Sequence, residues 1–469
     1  MNRFFKDFAI YGIASVLGKI AAVFLLPVYT SILTKEEYGV MALITSCKGI
    51  IDLVSNLNIH SGIARDYYET ENRGTLVSTG FYSILSLSLL ILLAGVLSRD
   101  FWVGTVLKID RIYMPAFVLM LCSIPCGSLQ SYFSILTRFN KKSGLFAIGS
   151  VIQVLLSILI SIIGVVVLRK GIVSVFFGLV VSEIVATLFF AFINRRDIVF
   201  SFESSVLKRA LLFSLPTLPA ILAGWMDSSI GQIVIGRFVS LEALGVYSVA
   251  LSFASVFTLI SNAFNNVWSP YLYENYKKES FAAEVSKVYR LMWVSLIFMS
   301  VALSLFSKEL VLLLSNEGYI AAVKYITLLC VPMCVYLFFP VAASGITVSR
   351  QTKYIGICYV AGSVLNFLLI VILVPRVGIL VVPVSLAVSR VATYLTMCYV
   401  SEKRLKLGLP HYLVAVLLLA IVSCYAIVSY DLNLIIRVGV CLLFAVIALM
   451  YIQSHDLLQI DGFIKRARK

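Results

Sequence analysis

The sequence predicts an all-α polytopic membrane protein with about fourteen transmembrane helices, and three observations carry that expectation. Hydrophobic residues make up 61% of the 469 and charged residues only 13%, against about 45–50% and about 25% in soluble domains. Apolar runs of about 20 residues, the length that crosses a bilayer as a helix, recur along the whole chain. No polar stretch between them is long enough to form a separate folded domain. Disorder, a disulfide-stapled secreted scaffold and an ordinary cytosolic enzyme are excluded on composition alone.

The runs fall at about 8–33, 39–59, 76–98, 112–136, 144–168, 172–193 and 210–235, then 243–268, 290–314, 319–347, 354–374, 378–400, 411–431 and 434–453. The first follows Arg3 and Lys6, is too long for a signal-peptide core and lacks a small-residue cleavage site, so it reads as an uncleaved span. The tenth is long and holds Pro332 and Pro340, which predicts a kink or tilt. The longest polar connections are 60–75, 99–111, 194–209 and 270–289. Residues 1–200 and 201–405 then form two six-helix bundles. Residues 406–469 add two helices and a basic tail.

Lys and Arg total 38 against 23 Asp and Glu, a net charge of +15. Most of this is sidedness. Alternate connections, from Arg3 and Lys6 to Lys465 and Lys469, hold 24 of the cations, and the opposite set holds ten. By the positive-inside rule both termini lie in the cytoplasm. The nine cysteines all fall in apolar runs, where a free thiol packs as a small hydrophobe. His60, His411 and His455 are far apart, without metal-ligand spacing. No cofactor and no nucleic-acid partner are expected. No phosphate-binding G-x-x-x-x-G-K-[ST] loop is present to hydrolyse nucleotide.

A repeat recurs at an offset of 206 residues. Leu33-Thr34-Lys35-Glu36-Glu37-Tyr38-Gly39-Val40 aligns with Val239-Ser240-Leu241-Glu242-Ala243-Leu244-Gly245-Val246. Glu36/Glu242, Gly39/Gly245 and Val40/Val246 are identical, and Thr34/Ser240 are both helix N-cap types. Each copy reads as a short outer turn between the first two spans of a unit. Two halves of like orientation, related by an axis along the membrane normal, are a transporter architecture with the substrate site between them.

Ionisable groups within spans cost roughly 2.5–3.5 kcal/mol each and face a bundle interior or a wet cavity. Lys19 sits mid-way in the first span. Lys48, Asp52, Asn56 and His60 form a stripe in steps of four down the second. Glu183, Asp227 and Arg390 sit in the sixth, seventh and twelfth, Asn366 in the eleventh, and Asn262, Asn265 and Asn266 in the eighth. One reading is a polar cavity for a charged, sugar-bearing head group, with Lys19, Lys48, Asp52, Arg390 and Asn366 as substrate-binding candidates. In it Asp227 and Glu183 are candidates for ion coupling, and Arg65 and Arg138 stand at the cytoplasmic entrance. The other reading is structural pairing: Lys48 with Asp52, Lys19 with Glu183, Arg390 with Asp227. Three cations against three acids decide neither.

Gly18-Lys19, Leu26-Pro27-Val28-Tyr29-Thr30 and Leu33 to Gly39 resemble the opening of bacterial polysaccharide flippases, the O-antigen and capsule-type translocases of lipid-linked oligosaccharide. Ala64-Arg65-Asp66-Tyr67-Tyr68-Glu69, Leu215-Pro216 with Asp227, Leu244 to Ala250 and Ser269-Pro270-Tyr271 are similar to the same family. In many members an Arg follows the seventh-span Asp; here Ser228-Ser229 follow it, so no Asp–Arg role carries over. The resemblance covers essentially the whole chain. It implies the multidrug/oligosaccharidyl-lipid/polysaccharide exporter fold, two six-helix bundles in a V with two further helices. It also implies a non-enzymatic function, translocation of undecaprenyl-diphosphate-linked oligosaccharide from the inner to the outer leaflet of the bacterial cytoplasmic membrane by alternating access. Implied partners are that lipid-linked oligosaccharide, membrane lipids, a coupling ion (H+ or Na+) and a glycan polymerase or assembly complex. The alternatives are a drug/cation antiporter of the same superfamily, a membrane polysaccharide polymerase or glycosyltransferase, and an assembly partner without transport.

Overall fold

The computed structural model describes residues 25–455 and 457. The first expected span from 8 to 24, Lys19 and the basic carboxy-terminal tail lie outside the described residues. The fold is all-α, with no strand among the described residues. Residues up to Ser248 form one compact unit and those from Val249 a second.

In the first unit, α1 covers residues 25–32, followed by α2 (Lys35–Asn56), α3 (Ile59–Asp66), α4 (Arg73–Leu97), α5 (Met114–Phe139) and α6 (Ser143–Ile162). Then come α7 (Ile172–Ile193), α8 (Ser204–Ser214), α9 (Leu218–Phe238) and α10 (Leu241–Ala254), the last running across the boundary. The second unit continues with α11 (Val256–Asn275), α12 (Phe281–Leu305), α13 (Ser307–Leu314), α14 (Ala322–Leu337), α15 (Phe339–Ala342) and α16 (Ser344–Val348). It ends with α17 (Lys353–Val377), α18 (Val381–Glu402), α19 (Tyr412–Ser429) and α20 (Leu434–Ser454). Among the described residues 12 helices are long and apolar enough to cross a membrane, and the bent pair α10–α11 supplies a thirteenth. Their outward faces are apolar: only 6% of the apolar window of α20 is buried. Leu442, Leu443, Ile447 and Met450 stand exposed on that helix. A soluble chain does not leave such a surface to water, and the protein is a multi-pass membrane protein.

Two breaks follow from local chemistry. The tenth expected span is divided into α14, α15 and α16, with Pro332 inside α14 and Pro340 opening α15, because proline removes a ladder donor and crowds the preceding turn. The eighth is bent by 40° at Ser255. There the hydroxyls of Ser255 and Thr258 donate to Ser252 O and Ser255 O at 2.7 and 2.6 Å, drawing carbonyls out of line in a span that reads as continuous from hydropathy.

The first unit is held by a core around Ile59, Ile63, Leu76, Tyr132, Phe133 and Phe190. Tyr132 donates its hydroxyl to Val77 O at 2.7 Å, so a large ring is buried without an orphaned phenol. Gly62 brings α3 against α8 so closely that a Cβ there would lie 2.5 Å from Ala210 O and 2.6 Å from Ala210 Cα. Nearby Asn58 Nδ2 donates to Thr217 Oγ1 at 2.8 Å. On the other side of α2, Trp225 Nε1 of α9 donates to Ser46 O at 3.0 Å and Ser46 Oγ to Gln232 Oε1 at 2.9 Å.

The second unit is built on a buried stack of Trp293 and Phe338, with ring centroids 4.3 Å apart and planes 6° from parallel. The two carboxy-terminal helices are pinned to it at both ends. At one end Arg437 forks onto Glu309 at 2.6 and 3.0 Å and donates to Leu305 O at 2.9 Å, while Lys308 meets Asp431 at 2.6 Å. At the other, Arg290 Nη1 donates to the hydroxyls of Tyr412 and Tyr451 at 3.2 and 3.0 Å.

Candidate functional site

The buried polar chemistry of the first unit centres on Lys48. Its ammonium lies 2.8 Å from Asp52 Oδ2, one turn along α2, and 3.3 Å from Glu183 Oε1 on α7. The Lys48 and Glu183 side chains are 11% and 7% exposed, that of Asp52 32%. One ammonium against two carboxylates leaves the cluster with a charge of −1. Asp52 Oδ1 and Glu183 Oε2 are buried without a hydrogen-bond partner, spare acceptors that a proton, a cation or a hydroxyl-bearing ligand would satisfy. Gly127 makes the space: a Cβ there would stand 3.0 Å from Glu183 Oε2.

Sequence spacing finds the Lys48–Asp52 pair at i,i+4, but not the bond between Lys48 and Glu183, which joins helices distant in sequence. The expected stripe through His60 is interrupted. α2 ends at Asn56, Leu57 and Asn58 take left-handed conformations at φ 45° and 56°, and His60 belongs to the new helix α3. The cause is local. Asn56 Nδ2 donates to Asp52 O, and Asn56 Oδ1 accepts from Asn58 N, each at 2.8 Å, so the side chain competes with the helix for its own backbone. Burial, and the Arg138 guanidinium nearby, hold the His60 imidazole below its usual range.

Asp227 lies on α9, half-buried, two residues from Trp225. Arg65 and Arg138 are exposed, over the rings of Phe213 and Phe146 at 5.1 and 5.2 Å. Sequence reading missed the network beside them. Tyr67 donates to Asn140 Oδ1 at 2.8 Å. Asn140 Nδ2 reaches Asn194 Oδ1 at 3.1 Å and Asp197 Oδ2 at 3.0 Å, and Asn194 donates to Thr137 Oγ1 at 2.8 Å. The asparagines at the ends of the fourth and sixth expected spans are its only trace in the sequence.

In the second unit Arg390 is 7% exposed. It donates to Pro332 O at 3.0 Å, approaches Met333 Sδ at 3.6 Å and lies 4.7 Å over the Tyr336 ring. A guanidinium tolerates such a setting because it is weakly hydrated and stacks on aromatic faces. Asn366, 1% exposed, keeps Oδ1 without a partner. One turn before it, Gly362 lies against α18, where a Cβ would come within 1.9 Å of Thr393 Oγ1. Of the eighth-span asparagines, Asn265 donates weakly to Ser261 Oγ at 3.5 Å, and nothing is described of the Asn266 side chain. Among the described residues no cluster of His, Cys, Asp or Glu could hold a metal ion.

Solved structures of the same fold are transporters. The lipid II flippase MurJ, in an inward closed conformation, superposes with a TM-score of 0.71 at 15% identity, over 96% of this chain and 100% of that one. An inward-facing multidrug resistance MATE family transporter of the MOP superfamily gives 0.62 at 15% identity, over 85% and 95%. A MOP superfamily transporter from Pyrococcus furiosus, described as having a binding pocket of reverse polarity, gives 0.56 at 15% identity over 87% and 95%. No curated protein matches significantly in sequence. The model of the polysaccharide biosynthesis protein family matches residues 28–324, well over half the chain, and with this fold the chain belongs to that family.

Proposed function

We propose that this protein carries an undecaprenyl-diphosphate-linked oligosaccharide from the inner to the outer leaflet of a bacterial cytoplasmic membrane, by alternating access and driven by an ion gradient. The observation that carries the reading is the burial of two cations, Lys48 and Arg390, in membrane spans of a polysaccharide biosynthesis family member. An ammonium and a guanidinium inside such spans are costly and are donors suited to phosphate oxygens. Lys48 rests on Asp52 and Glu183, and a lipid diphosphate is an anion that competes for it. The fold shared with a lipid II flippase supports the same cargo class.

In this reading Lys48, Arg390, Asp52, Asn366 and Lys19 face the cargo. The diphosphate draws the ammonium of Lys48 away from its carboxylates, and sugar hydroxyls meet Asp52, Asn366 and the spare oxygen of Glu183. Asp227 and Glu183 take the coupling ion, H+ or Na+. Arg65 and Arg138 gather the anionic head group at the cytoplasmic entrance, where the excess of Lys and Arg places both termini. The 1–200 and 201–405 segments act as the two moving bundles, 406–469 supports the second, and a glycan polymerase receives the product.

The charge of −1 at Lys48, Asp52 and Glu183 favours a second reading, a cation antiporter. Reconstitution into liposomes separates them. Leaflet transfer of a fluorescent undecaprenyl-diphosphate oligosaccharide under a pH or Na+ gradient, lost in Lys48→Ala and Arg390→Ala at normal protein level, supports the flippase. Transfer unchanged in both variants removes these residues from the site. No transfer under any gradient, with gradient-driven efflux of an organic cation, establishes the antiporter.

A further inference from the structure

Three helices of the second unit share one sequence pattern where they meet. On α12, Val294 and Phe298 follow Arg290 in steps of four. On α19, Val416 follows Tyr412 by four, and on α20 Ile447 precedes Tyr451 by four. Residues four apart share a helix face, so each helix shows a polar group at one end of a strip and apolar groups below it. The strips converge on a groove of about 230 Å³; an apolar cavity of about 150 Å³ already takes up benzene. Val294 and Leu413 are buried in its floor, whereas Phe298, Val416 and Ile447 stand exposed at its rim. The groove therefore opens sideways, on the outward apolar side of the helices.

Its polar end is bonded into one group. Arg290 Nη1 donates to the hydroxyls of both Tyr412 and Tyr451, which stand 2.6 Å apart, and Arg290 Nε reaches Ser286 Oγ at 3.4 Å. Among the described residues every hydrogen bond of this guanidinium ends on a neutral hydroxyl, and Nη2 takes part in none of them. Arg437, towards the opposite end of the same helices, is instead forked on Glu309. The phenols leave a donor over as well. One O–H is spent on the other tyrosine, and the second has no acceptor among the described residues. A positive charge and two unused donor groups at the head of an apolar groove suit a phosphate that carries an acyl chain.

From Arg290 to Phe298 the groove runs about 12 Å along the helix axis, less than half the roughly 30 Å thickness of the hydrocarbon core. It serves a single leaflet, the one beside the basic residues Lys403, Arg404 and Lys406.

We propose that this groove holds an anionic glycerophospholipid of that leaflet, with an acyl chain between α12, α19 and α20 and its phosphate on Arg290 and the tyrosine hydroxyls. The lipid stays in its leaflet and clamps the carboxy-terminal pair of helices to α12. It is not the cargo, and the proposal stands apart from the transport reading above.

The experiment titrates delipidated full-length protein in detergent with phosphatidylglycerol or phosphatidylcholine and counts bound lipid by native mass spectrometry. One phosphatidylglycerol should be retained about tenfold more strongly than phosphatidylcholine, and Arg290→Gln should abolish the preference. Ala448 also lines the groove, and Ala448→Trp fills it while leaving Arg290 and both tyrosines in place. That variant should weaken retention of phosphatidylglycerol about tenfold, and it decides alone if Arg290→Gln fails to fold. Arg404→Gln, on the same side but outside the groove, should change nothing. Equal retention of the two lipids overturns the proposal, as does a preference that survives in Ala448→Trp or is lost in Arg404→Gln. Displacement of the lipid by inorganic phosphate would show a plain anion site, and undecaprenyl phosphate retained in preference to phosphatidylglycerol would give the groove to the cargo. Either result overturns the phospholipid assignment.

Discussion

The Lys48 ammonium bonds to two carboxylates, 2.8 Å from Asp52 on its own helix and 3.3 Å from Glu183 on another. The pairing is unequal, because either acid can be neutralised while the other still holds the ammonium. Loss of Lys48 strands both.

The unequal pairing predicts an unequal response. Lys48→Met leaves the buried Glu183 and the half-buried Asp52 without their counter-ion and should cost about 3 kcal/mol. Glu183→Gln leaves the Lys48–Asp52 pair intact and should cost about 1 kcal/mol. The Lys48→Met/Glu183→Gln double variant should recover part of the loss of Lys48→Met. Thermal unfolding in detergent measures all three, and equal losses from the two single changes would contradict the shared-ammonium geometry.

At the α17–α18 crossing, Gly362→Ala drives a methyl into Thr393 Oγ1 and should cost about 1–3 kcal/mol despite the better helix propensity of alanine. Adding Thr393→Ala removes the obstructing hydroxyl, and the melting temperature should return most of the way to wild type. A double variant no more stable than Gly362→Ala alone means the clash lies elsewhere.

His60 predicts a pH dependence with a definite sign. Burial and Arg138 depress its folded-state value, so the imidazole stays neutral in the fold while the unfolded chain takes up a proton below about pH 6.5. Its contribution is therefore intact at high pH, declines as pH falls through about 6.5, and levels off below the folded-state value. Melting temperatures from pH 8 to 5 should show this slope in wild type and a shallower one in His60→Gln.

The fork of Arg437 on Glu309 locks the start of α20. Arg437→Ala leaves Leu305 O without this donor and removes the fork, so hydrogen exchange at the start of α20 should accelerate about tenfold. Arg437→Lys keeps the charge but not the two-pronged geometry, and should fall between. Exchange at wild-type rates in Arg437→Ala would show that the apolar face of α20 suffices.

Elements with a strong local signal were readable in the sequence. Hydropathy located the spans, Pro332 and Pro340 located a break, and the Thr34/Ser240 caps marked equivalent helix starts. Features set by hydroxyl and amide side chains were not, since a bend at Ser255 and a termination at Asn56 barely change hydropathy. In the candidate site the ionisable residues were visible because each is an anomaly in an apolar run. Their partners were invisible wherever the bond joins separate helices: Glu183 to Lys48, Arg390 to the Pro332 carbonyl, Asn140 to Asn194. The offset of 206 implied two equivalent turns, but only the packing of α2 on α10 brings Gly39 to Leu241 and Gly245 to Lys35, and so each glycine to its own counterpart.

The close approach of Gly62 to Ala210, with Asn58 bound to Thr217, bears on how the two repeats are wired. The strand of chain between them does not hang as slack rope. From α8 onward it is riveted to the helix that follows α2, and the residues before Ser204 are tied in turn to α4, with Val199 N donating to Ser78 Oγ at 2.7 Å and Glu203 N to Thr79 Oγ1 at 3.0 Å. A displacement of the start of α9 is then felt at Asn58, below the Lys48 helix, as it would be at the far end of a crank.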